Sequence, residues 1–173
     1  MANAKKYILT GVILGSIAAV SAGLIALTNL ISKDKIRQNE LNKINAGIKE
    51  IFGDEASVRS SKDLEGHQYT VLLYEIENDK KEFLGYAFKS DGSNMYGKIS
   101  LISGFDGVSH NFMSLYMVTN EQTYASTLVE NYISPLNKEE RQLEDVNCGA
   151  TYGAKLVRDM VNEASEVAKE LWK

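Results

Sequence analysis

The chain holds one cysteine, one proline, one tryptophan and two histidines among 173 residues. A single cysteine excludes an intrachain disulfide framework and a cysteine-based zinc or iron–sulfur site within one chain. His67 and His110 stand far apart in sequence and form no ligand cluster. One proline and no low-complexity tract argue against a disordered tail. Basic residues are in deficit, 19 Lys and Arg against 23 Asp and Glu for a net charge of −4, and no Lys/Arg-rich run stands out. That balance argues against nucleic-acid binding. The length suits one domain with an appendage.

The shortage of charge is local. From Tyr7 to Ser32 the chain carries no charged residue, and only Lys5 and Lys6 precede it. As a helix this run reaches about 39 Å, against a bilayer core of roughly 30 Å. A transmembrane anchor over residues 1–32 is the direct reading, leaving residues 33–173 as the main domain. Val20-Ser21-Ala22 offers a cleavage site for the rival reading, a signal peptide. The apolar run continues past it through Leu24, Ile25, Leu27, Leu30 and Ile31, which favours a retained anchor. Flanking charges nearly balance, with Lys5 and Lys6 on one side and Lys33, Lys35 and Arg37 on the other. The short leading tail favours an N-terminus in the cytoplasm and a large domain on the extracytoplasmic face of the cell membrane. Gly11, Gly15, Ala19 and Gly23 recur every fourth residue, a spacing that lets another helix approach closely.

Beyond the anchor, Lys33 to Phe52 reads as an amphipathic helix with Ile36, Leu41, Ile44, Ile48 and Ile51 on one stripe, Ser32 as its N-cap and Gly53-Asp54 as its end. Four strand signals follow: Tyr69–Ile76, Glu82–Lys89, Lys98–Ser103 and His110–Val118. Turns are expected at Asn78–Lys81, at Ser90–Ser93 and at Asp106-Gly107. Met113, Leu115 and Met117 share a face of the last strand. A short helix is expected within Asn120–Ile133, ended by Pro135, then a polar loop over Asn137–Glu144. A helix from about Gly149 to Leu171 closes the chain. The architecture is α+β, an antiparallel sheet covered by helices.

The start of that last helix carries the chemistry: Asp145-Val146-Asn147-Cys148-Gly149-Ala150-Thr151. Small residues leave the backbone open at a helix N-terminus, where free amides and the helix dipole favour an anion. Thr151 adds a hydroxyl in the first turn. The place suits a phosphate, bound or covalently linked.

This segment resembles the flavinylation motif of the FMN-binding domain family: Asp, two free positions, Ser or Thr, Gly, Ala, Thr. The matching residues are Asp145, Gly149, Ala150 and Thr151, and Cys148 stands where Ser or Thr is usual. The layout, one N-terminal membrane helix and an exported flavin domain, is similar to the G subunit of Rnf ion-translocating electron-transport complexes. More distantly it resembles the C subunit of the sodium-translocating NADH:quinone reductase. Ile31–Ile36 resembles the stalk of those proteins. Tyr96–Ile99 followed by Gly104–Gly107 resembles their central hairpin. Gln122–Thr127 stands where the family has Glu-Thr-Pro-Gly-Leu-Gly lining the flavin; it keeps Thr123 and loses the proline and glycines.

The resemblance implies FMN joined covalently to Thr151 by a phosphoester, installed by a flavin transferase that uses FAD. It implies that Asp145, Cys148, Gly149 and Ala150 form the attachment segment and that Thr123 contacts the flavin. Tyr96 and Tyr124 are candidates for stacking on its ring. The expected role is electron transfer within a membrane complex, beside other membrane subunits of an Rnf-type assembly, rather than catalysis by this chain alone. The cofactor supplies the redox chemistry and the protein supplies position. Two alternatives stand beside it: a stand-alone extracytoplasmic flavoprotein, and a flavin-free structural subunit of a membrane complex.

Overall fold

The structure, a computed structural model, describes residues 2–172; within the first helix, the side chains at 2–6, 8–10, 26 and 29–34 lie outside that description. The chain divides into two compact units, Met1–Leu41 and Asn42–Lys173.

The described residues of the first unit are helical. Helix α1 runs Ala2–Phe52, so the backbone continues through Ser32 and no N-cap occurs there. No proline or turn residue interrupts it, and the amphipathic stretch expected from Lys33 simply extends the uncharged one. Val12, Leu14, Ile17, Val20, Leu24 and Ile25 are all exposed, as are Ile36 and Leu41. Gly11, Gly15 and Gly23 have open space where a Cβ would stand. Among the described residues no helix is long and apolar enough to cross a membrane. The expected span over 7–32 includes positions 8–10, 26 and 29–32, whose side chains lie outside the described residues.

The second unit is a five-stranded antiparallel sheet in the order β1-β2-β3-β4-β5, a simple meander. The strands are β1 Ser57–Asp63, β2 Thr70–Glu77, β3 Phe83–Asn94, β4 Gly97–Asp106 and β5 Phe112–Asn120. Alternation sorts two cores onto its two faces. On one face Ile44, Ile48 and Ile51 of α1 pack on Tyr74, Ile76, Ala87, Ile102 and Val118. On the other, Leu73, Phe88, Leu101, Phe105 and Leu115 meet helix α4, Thr151–Leu171, through Val157, Met160, Val161 and Ala164. The α+β class and the helix-covered antiparallel sheet therefore hold.

Several expectations are corrected. The sheet has five strands, not four: β1 (Ser57-Val58-Arg59-Ser60-Ser61-Lys62-Asp63) is exposed along its whole length and offers no buried alternation to read. Ser90–Ser93 is no turn but part of the last third of β3, and the chain reverses instead between Asn94 and Gly97. Gly92 serves packing, since a Cβ there would sit 2.9 Å from Leu156 Cδ1. Met113 leaves its expected face. A register shift between Gly104 and Phe105 puts Phe112 opposite Phe105, so Phe112, Leu115 and Met117 share the α4 side while Met113 is 38% exposed.

Asn120 ends β5, and the helical stretch after it comes in three pieces: α2 Ala125–Leu128, a π-helical turn Val129–Ile133 and α3 Ser134–Asn137. Pro135 does not end this stretch; it occupies the first turn of α3, where its missing N–H costs little. The last helix begins at Thr151 rather than Gly149, because Gly149 takes φ +84° and cannot continue into a right-handed helix.

Candidate functional site

The loop before α4 is built to present the helix start. Gly149 turns through its left-handed conformation, Ala150 takes the N-cap position, and no side chain caps the helix. The first amides of a helix have no acceptor within it. Over a 21-residue helix they form the positive end of a sizeable dipole. Three side chains hold the loop that leads there. Tyr132, in the π-helical turn, donates its hydroxyl to the Leu143 carbonyl at 2.5 Å, and burial pushes its phenol far above the ordinary value. Asn131 donates to the Cys148 carbonyl at 3.1 Å. Arg141 donates to the carbonyls of Asp145 and Asn147 at 2.8 and 3.3 Å.

A cavity of about 260 Å³ opens beside this helix start. One wall is Gly149, Ala150, Thr151 and Gly153; Tyr96, Tyr124 and Tyr152 form another; Gln122 and Leu128 complete it. Tyr96 gathers the rings, with centroids 6.1 Å from Tyr124 and 5.4 Å from Tyr152. Gln122 is buried and spends its Nε2 on the Gly97 carbonyl at 2.5 Å. Asn94 ties the β3–β4 hairpin to the helix. Its Oδ1 accepts from Tyr96 N at 2.8 Å and its Nδ2 donates to the Tyr152 carbonyl at 3.1 Å. Packing is close at Gly153, where a Cβ would stand 3.0 Å from Leu128 Cδ2.

The expected site residues are thus partly brought together. Thr151, Ala150 and Gly149 line the cavity, and so do both tyrosines named as stacking candidates. Cys148 is buried in the core behind the wall. Asp145 stays outside with its side chain 59% exposed, 3.6 Å from Arg141. Thr123 is not in the wall; its N–H and hydroxyl both donate to the Tyr96 carbonyl, at 2.9 and 3.3 Å, which fixes the ring that is. Gln122, from the segment expected to line the flavin, is in the wall, whereas sequence reasoning missed Tyr152, Leu128 and Gly153 as wall residues. Tyr152 was within reach, since it directly follows Thr151; the other two depend on how α2 folds against α4.

The donor set fits a phosphorylated aromatic ligand. Among the described residues no carboxylate lines the cavity, an uncapped helix N-terminus faces it, a half-buried hydroxyl stands at its edge, and tyrosine rings supply flat apolar surface. FMN combines those chemical features, a terminal phosphate and a planar ring.

No curated protein matches the chain. Residues 1–51 match the family described as RnfG N-terminal region, which supports the resemblance of this chain to the RnfG subunit.

Proposed function

We propose that the chain is a membrane-anchored electron carrier with FMN joined to Thr151, working as a subunit of an Rnf-type ion-translocating complex. The observation that carries this reading is the placement of the Thr151 hydroxyl. It lies in the seven-residue attachment pattern, at an uncapped helix N-terminus, on the edge of a tyrosine-walled cavity. The match of residues 1–51 to the RnfG N-terminal region supports the complex.

Attachment from FAD balances simply. The Thr151 oxygen forms a bond to the flavin-side phosphorus, the pyrophosphate bond breaks, AMP leaves, and the hydroxyl proton passes to solvent. A flavin transferase would supply the catalysis and read the exposed Asp145 side of the loop. Once bound, FMN supplies one- and two-electron chemistry. The protein's part is to hold the phosphate on the α4 amides and to bed the ring on Tyr96, Tyr124 and Tyr152. A covalent tie suits a domain outside the cytoplasm, where released flavin would be lost.

The uncharged run Tyr7–Ser32 is the proposed anchor, long enough as a helix to cross the bilayer core. The N-terminus lies in the cytoplasm and residues 33–173 on the extracytoplasmic face. The stripe Gly11, Gly15, Ala19, Gly23 is proposed to pack against a helix of another membrane subunit.

The test is a denaturing gel of the full chain co-expressed with a flavin transferase. A phosphoester-linked flavin survives denaturation, so the band glows, and Thr151→Ala makes it dark. A dark band from the unaltered chain would leave a flavin-free structural subunit; a glowing Thr151→Ala band would place the link elsewhere.

A further inference from the structure

Gln122 carries one polar atom that the fold leaves unused. The residue is only 7% exposed. Its backbone N–H donates to Asn120 Oδ1 at 3.2 Å, and its carbonyl accepts from Ala125 N at 3.1 Å. Its Nε2 donates to the Gly97 carbonyl. Among the described residues nothing donates to its Oε1. A buried acceptor left without a donor is costly, and such atoms are few in folded proteins.

The neighbours of this amide settle which way it faces. Only its NH2 end can meet the Gly97 carbonyl, since a flipped amide would set two oxygens against each other. Oε1 therefore faces α4. It lies 3.4 Å from where a Cβ on Gly153 would stand, and Gln122 and Gly153 both line the cavity. The backbone on either side is pinned as well. Glu121 N donates to the Lys98 carbonyl at 2.8 Å, and Thr123 N to the Tyr96 carbonyl at 2.9 Å. The acceptor is thus in place before any ligand arrives, so little ordering is needed on binding.

Gly153 is the third residue of α4, so this oxygen adjoins the first-turn amides that suit a phosphate. An ionised phosphate offers only acceptor oxygens and cannot satisfy it. The donor has to come from the next group along the ligand. We infer that Gln122 is a specificity residue whose Oε1 accepts a hydrogen bond from a hydroxyl of a polyol phosphate, in FMN a ribityl hydroxyl. This rests on the flavin reading above and adds that the cavity selects for the chain between phosphate and ring, not only for its two ends. A ligand without that hydroxyl leaves the buried oxygen unpaired, and a site built to bond a hydroxyl discriminates strongly against the analogue that lacks it.

The test measures binding to the full chain in detergent, made without a flavin transferase so that Thr151 stays free. It is titrated with FMN and with the flavin phosphate that has a plain pentyl chain in place of ribityl. The account expects FMN to bind at least about tenfold more tightly than the pentyl compound, and Gln122→Leu to lose most of that preference. The ratio of the two affinities is the readout, because a general loosening of the variant lowers both together. Equal affinities in the unaltered chain, a result that needs no variant, would overturn the inference. So would a preference that Gln122→Leu keeps. Either outcome leaves the cavity standing as a flavin site. Binding of neither compound at about 1 mM would overturn the cavity as the flavin's seat, and this inference with it.

Discussion

Glu163 shows how one side chain can lock two elements. It projects from α4, and its carboxylate accepts the backbone N–H groups of Gln68, Tyr69 and Thr70 at 2.6, 2.8 and 2.7 Å and the Thr70 hydroxyl at 2.9 Å. Burial raises its pKa, but the hydrogen bonds outweigh that and hold the carboxyl below its ordinary value. A depressed folded-state pKa means the stabilisation is fully present above the unfolded value, near 4.5. It is lost as pH falls through the lower folded value. Urea midpoints measured from pH 7 down to about 3 should therefore fall more steeply for the native chain than for Glu163→Gln, which starts lower and depends less on pH. Parallel curves would show that the carboxylate does not carry this link. At the same scale, the segment Asp145–Thr151 was readable because its residues are contiguous. Thr123 was placed in the site by its neighbours in sequence, whereas its hydroxyl is committed to the Tyr96 carbonyl one shell away.

At the scale of elements, glycines set how closely α1 and the sheet approach. A Cβ on Gly47 would come within 2.6 Å of Tyr116 Cδ1 and 3.0 Å of its Cβ, too near the backbone for the ring simply to swing aside. Gly47→Ala gains about 1 kcal/mol of helix propensity and loses about 1–3 kcal/mol to overpacking. The net expectation is a lower melting temperature; a higher one would mean Tyr116 repacks freely. The helices and inner strands were legible from sequence because Ile44, Ile48 and Ile51 recur at helical spacing and β2 is rich in β-branched and aromatic residues. What escaped has no such face. β1 is exposed throughout. The turn expected at Ser90–Ser93 was read from Asp91 and Gly92, yet Gly92 is where α4 comes close, a long-range contact that local propensity cannot reveal. The register shift that exchanges Met113 for Phe112 leaves Met113 as an extra residue of β5 in its pairing with β4, a long-range feature that the strand's own pattern does not show.

As a whole molecule, the protein joins an uncharged helical segment to an acidic sheet domain. Its few distinctive residues collect at one place: the uncapped start of α4, the Thr151 hydroxyl, three tyrosines and the cavity they enclose. Under the proposed function, the redox chemistry would come from one tethered group rather than from the single cysteine or the two histidines. The β-hairpin at Asn94–Gly97 and the helical stretch Ala125–Asn137 both serve that place, the first supplying Tyr96 and the second holding the loop through Asn131 and Tyr132. The central claim is the covalent bond at Thr151. Intact-mass measurement of the full chain, co-expressed with a flavin transferase and freed of noncovalent ligands, tests it directly. The account predicts an added mass of one FMN less one water, absent in Thr151→Ala. An unaltered mass in the native chain, or the same increment in the Thr151→Ala variant, would contradict it.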